Sequence, residues 1–95
     1  MPRGYVISRV DVKNADAYAE YVRLGTAAIR AFGGRLLVRG GKHQAMEGPA
    51  RARNVVIEFD DYDTALAYYQ SAQYQAAKVK RVGAADMEIV IVEGV

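Results

Sequence analysis

The chain has no cysteine among its 95 residues. That excludes a disulfide framework, a thiolate nucleophile and a thiolate metal site, and it suits a reducing compartment. Histidine occurs once, as His43. With only scattered Glu47 and Glu58 for company it falls short of a metal-ligand pattern, so no metal is expected. The glycines of "GGRLLVRGG" come without a P-loop lysine or the dinucleotide spacing, and no cofactor is expected. No apolar run approaches the roughly 18 residues of a membrane span. "MPRGYVISRV" enters a strand pattern without an apolar leader, which points to a cytoplasmic protein with no membrane partner. Nor does one sign of charge dominate: 13 basic and 11 acidic residues leave +2. Arg51 and Arg53 share a short loop, and Lys78, Lys80 and Arg81 sit near a helix C-terminus, where cations complement the dipole. That scatter is not the one-sided basic face of a nucleic-acid binder, so no nucleic-acid partner is expected.

What is present is a globular composition, 52% apolar and 25% charged, of a size for one domain over residues 1–95. "GYVISRVDV" (4–12) reads as a first strand. Asn14 then offers an N-cap. Tyr18, Tyr21, Val22, Gly25, Ala28, Ile29 and Phe32 recur at helical spacing until Gly33-Gly34 stops them. Gly25 costs about 1 kcal/mol against alanine inside a helix. Its place on the apolar stripe points to close approach of helix and sheet, with a pocket floor as the alternative. "RLLVR" (35–39) is a second strand, expected to continue, bent, past Gly40-Gly41. "NVVIEF" (54–59) is a third. A second helix follows, capped by Asp61 or Asp63, with a stripe of Tyr62, Leu66, Tyr69, Ala72, Ala76 and Val79 and a jog at Ser71. "MEIVIVEGV" (87–95) is the last strand.

The order βαββαβ predicts an α+β, ferredoxin-like fold: a four-stranded antiparallel sheet with two helices on one face. An antiparallel sheet with one face in water alternates apolar and polar residues. "IVIV" (89–92), "VVI" (55–57) and "LLV" (36–38) do not. Two helices cover one face, so the strands predict a second copy on the other and a twofold homodimer. Several hundred Å² of apolar surface per subunit, at about 25 cal/mol per Å², suffices for a permanent pair. RNA-recognition domains share this strand order, but they stack bases on aromatics that "YVISRV" and "NVVIEF" do not offer.

Taken in order, "GYVISRVDVKNADAYAEY", "GGRLLVRGG", "MEG", "VVIEF", "ALAYYQSAQYQAAK" and "IVIVEGV" resemble the bacterial family called domain of unknown function 1330. One departure is Tyr68-Tyr69, where many relatives carry Trp-Tyr. The resemblance implies a dimeric α/β barrel of undefined role. Cousins of that architecture include cofactor-free monooxygenases, muconolactone isomerase-like enzymes and haem-binding proteins; fold analogy alone does not choose among them.

Six residues carry the candidate chemistry. Arg39 has the guanidinium fork for a carboxylate. His43, as the chain's one imidazole, is a candidate general base, or a surface residue of an edge strand. Glu58 interrupts an apolar strand and needs a partner, for which Arg39 or Arg9 is expected; a pocket acid is the alternative. Tyr69 lies on the core stripe, where its hydroxyl needs a partner if buried, and Tyr74 lies off the stripe, where it is expected to reach a cleft or the dimer seam. Ser71 caps or bends the helix, or faces the same cleft. Seven tyrosines without a tryptophan would suit a planar aromatic ligand. Three functions follow. The first is a dimer binding a small organic anion or aromatic. The second is a cofactor-independent enzyme in which Arg39 orients the substrate and Glu58 or His43 moves a proton. The third is a structural or regulatory dimer with a filled interior.

Overall fold

In the computed structural model, which describes residues 2–95, the chain forms β1 (Gly4–Val12), α1 (Ala15–Ala31), β2 (Arg35–Arg39), β3 (Arg53–Phe59), α2 (Tyr62–Gln70), α3 (Ala72–Arg81) and β4 (Ala85–Glu93). The strands make one antiparallel sheet in the order β2-β3-β1-β4. This is the expected ferredoxin-like order, with the second helix divided in two.

Local chemistry sets the boundaries. The Asn14 side chain accepts from the Ala17 N–H at 3.1 Å and opens α1. Gly33, in the left-handed region at φ 71°, ends it, and the Gly34 N–H reaches back to the Ile29 carbonyl. Asp61 rather than Asp63 caps α2, accepting from the Thr64 N–H at 2.7 Å. Ser71 closes α2 and opens α3: its Oγ donates to the Tyr68 carbonyl at 2.7 Å and accepts from the Tyr74 N–H at 3.1 Å.

That break corrects the stripe expected for the second helix. Ala65, Tyr68, Tyr74 and Ala77 are buried, whereas Val79 is 69% exposed. A single helical phase cannot run through Ser71, so α3 starts a phase of its own and turns Tyr74 inward. The bent strand is corrected as well. β2 ends at Arg39, Gly40 turns away with φ 64°, and residues 40–50 form an exposed loop. The irregularity in the β2–β3 pairing lies earlier, between Leu36 and Val38.

The core lies between helices and sheet and includes Val6, Ile57, Phe59, Ala28, Ile29, Tyr68 and Tyr74. On the other side of the sheet, Val38, Val56, Ile7 and Val90 are register partners in one apolar row across all four strands. Arg35, Glu58, Tyr5 and Val92 make the next row, and Asn54, Arg9 and Glu88 lie beyond on the opposite side. Among the described residues no helix covers these rows. The face is therefore less uniformly apolar than its strand sequences suggest: a stripe with polar margins, in which Val90 is 55% exposed.

Candidate functional site

Between α1, α3 and the helix-facing side of the sheet lies a cavity of about 60 Å³. A water needs roughly 10–15 Å³ on this measure, and an apolar cavity of about 150 Å³ admits benzene. The site is therefore larger than a packing defect and small for a ligand. Its floor comes from the sheet: Val6 and Ser8 of β1, Leu36 of β2, Val55 and Ile57 of β3, Ile89 of β4. Gly25 lies in its roof. A Cβ built there would meet nothing within 4 Å. The close-approach expectation for Gly25 is thus corrected: the glycine faces open space under a helix that packs chiefly against α3.

Aromatic residues form the walls. Tyr18, Tyr21, Tyr68, Tyr69 and Tyr74 all line the cavity. Tyr74, 1% exposed, is their hub, with ring centroids 4.9 Å from Tyr69, 5.1 Å from Tyr68 and 6.1 Å from Tyr21. Its hydroxyl shares a 3.0 Å hydrogen bond with that of Tyr21. Burial pushes the phenols of Tyr21 and Tyr68 far above their ordinary pKa, and neighbouring Tyr74 adds to the effect. Burial raises Tyr18 too, opposed by the guanidinium of Arg53. At neutral pH these three phenols stay protonated.

Charge enters through two arginines. Arg39 and Arg53 line the cavity, and among the described residues no aspartate or glutamate does. Arg39 is exposed and marks the side that meets solvent, while Arg53 is half-buried. Neither forms an ion pair among the described residues. The Nε of Arg53 is buried without a hydrogen-bond partner among them. Gly40 has a second role here, because a Cβ on it would meet the Arg53 Nη1 at 2.6 Å. The bare backbone at Gly40 leaves the guanidinium its place.

Of the six residues singled out from the sequence, the fold brings Arg39, Tyr69 and Tyr74 to the cavity. Ser71 is occupied in capping α3. Glu58 points to the opposite side of the sheet. It accepts from Arg35 Nε at 2.9 Å and from the Tyr5 hydroxyl at 3.1 Å, so its partner is Arg35 and not Arg39 or Arg9. The Arg35 guanidinium holds its carboxyl below the usual range. His43 sits in the 40–50 loop beside a broad surface depression, its Nδ1 3.3 Å from the Gly41 carbonyl. Sequence reasoning missed Arg53, Tyr18, Tyr21 and Tyr68 as cavity residues. Arg53 stood beside Arg51 in an apparent loop, Tyr18 and Tyr21 lay on a stripe that reads equally well as core, and Tyr68 lay off the stripe expected for the second helix. Among the described residues no cluster of three or more metal-ligating side chains occurs, and no helix is long and apolar enough to cross a membrane.

Comparison with known proteins agrees with this architecture. The family described as domain of unknown function (DUF1330) matches residues 3–95. A protein of unknown function from Rhodopseudomonas palustris superposes with a TM-score of 0.75 at 18% identity, over 99% of this chain and 83% of its own. A dimeric ferredoxin-like protein of unknown function from Thermobifida fusca gives 0.55 at 15% identity, over 97% and 91%. SnoaB, a cofactor-independent oxygenase from Streptomyces nogalater, gives 0.61 at 11% identity, over 95% and 90%. At these identities the likeness speaks for the fold. No curated protein matches the chain.

Proposed function

We propose, for a chain that belongs to the DUF1330 family, that it pairs with a second copy and binds a small organic molecule in the cavity of each protomer. The observation that carries the binding reading is the cavity itself: open space under Gly25, tyrosine walls, and two arginines without carboxylate partners. Pockets for small molecules have this character, mostly apolar with a few convergent polar groups. Pairing is supported by the bare apolar row Val38–Val56–Ile7–Val90 and by the dimeric neighbour from Thermobifida fusca.

The test is a thermal-shift screen of small organic metabolites on the wild-type protein, since a ligand stabilises the state that it binds. We expect hits among small organic acids or aromatics, and Arg39→Ala to weaken them while the fold remains intact. A screen without a single hit would remove the binding reading.

A second reading is turnover. The likeness to a cofactor-independent oxygenase favours it. The residues at the cavity make it the lesser one: Glu58 and His43 lie elsewhere, and raised phenols are donors rather than bases. Uptake of dissolved oxygen in the presence of a screened ligand would reverse that order.

A further inference from the structure

We infer that the cavity selects a single-ring aromatic carboxylate, with the carboxylate on Arg53 and the ring among the tyrosines. The inference rests on the binding reading above and adds to it the ligand's class and its principal anchor.

Three observations meet at Arg53. It stands in the row Arg53–Val10–Met87 at the end of the cavity where Tyr18 lies. Its Nε is buried and unpaired among the described residues. A buried donor without a partner costs free energy, more so in a charged group, and is found where something else completes it. A carboxylate presents two acceptor oxygens that match the fork of a guanidinium, and Arg53 as a whole is only half-buried at the cavity wall. Arg39, more exposed, adds a second positive charge near the opening. No acidic side chain at the cavity offsets either, so a neutral ligand would leave the charge as it is and a cation would be repelled.

The rest of the ligand follows from the walls. Tyrosine faces and edges suit an aromatic ring better than a flexible chain, because ring pairs at about 4.5–7 Å gain energy beyond burial. The space of about 60 Å³ is less than the roughly 150 Å³ that encloses benzene in an apolar cavity. A single ring is therefore seated only in part, the rest of it on the solvent side at Arg39, and fused rings project further still.

The experiment is titration calorimetry of the wild-type protein with 4-hydroxybenzoate, 4-hydroxybenzamide, hexanoate and inorganic phosphate. The acid should bind at least tenfold more tightly than its amide, the size of effect that a charge-assisted hydrogen bond brings. Hexanoate and phosphate should be weaker than the acid. Arg53→Gln should bring acid and amide to similar affinities; Arg53→Lys should restore part of the preference. Equal binding of acid and amide to wild type would overturn this inference while leaving the cavity reading in place. So would a preference for hexanoate or phosphate. No binding of any of the four, in a protein whose thermal-shift screen does find other small organic ligands, would also overturn it. An empty screen would remove the reading beneath it.

Discussion

Single residues decide how this cavity is made, and Gly25 does so most plainly. A glycine in the middle of α1 weakens the helix, and among the described residues nothing lies within 4 Å of a Cβ placed there. Gly25→Ala should therefore raise stability by about 1 kcal/mol, the helix-propensity difference, seen as a higher urea midpoint with an unchanged slope. Loss of stability would mean that the space is not there. Tyr74→Phe should act the other way. It removes one partner of the buried Tyr21–Tyr74 hydrogen bond and should cost about 1 kcal/mol in the same measurement. At this scale the sequence was only half legible. Gly25 announced itself by its propensity cost, but periodicity does not say whether a glycine faces a close neighbour or a space. Arg53 gave no signal, because its role depends on Gly40, a residue 13 positions away that leaves room for it.

Among the elements, the break at Ser71 matters most. It divides one amphipathic segment into α2 and α3 and sets the face on which Tyr74 falls. Ser71→Ala should cost about 1 kcal/mol as a lost N-cap. It should also alter near-ultraviolet circular dichroism, since the tyrosine cluster hangs on α3. An unchanged tyrosine signal would detach the cluster from the cap. The jog itself was readable in the sequence; the change of phase beyond it was not, because the apolar spacing continues numerically through residue 71. Strand two was misread for a related reason. Polar residues alternating after Gly40-Gly41 satisfy a strand pattern, but the positive φ of Gly40 sends them into a loop.

Between β2 and β3, the Arg35–Glu58 pair gives a pH dependence with a definite sign. Its lowered carboxyl pKa means that the pair contributes above the ordinary carboxylate range, near pH 4.3, and loses its contribution as pH falls through the lower folded value. The melting-temperature difference between wild type and Glu58→Gln should thus be present at neutral pH and fade in acid. A difference that grows in acid would contradict the pairing.

For the whole molecule, the sheet has two sides with two uses. The helix side holds the core and the cavity; the bare side holds an apolar row between two polar ones. The strand order and the layering were legible from the order of elements; the twofold partner is the proposal that the strands' continuous apolar runs motivate. The polar margins were obscured in the sequence because both faces of a strand are written into one line. They do not argue against pairing. A hydrophobic centre within a polar rim is the ordinary anatomy of an interface, and both signs of charge occur on this face, with Arg35 beside Glu58 and Arg9 beside Glu88. Sedimentation equilibrium at micromolar concentration is the most direct measurement. The protein should sediment at about twice its 10.4 kDa chain mass, and Val90→Asp together with Val56→Asp should return it to one. A folded wild-type chain sedimenting at 10.4 kDa would contradict the pairing of its bare sheet.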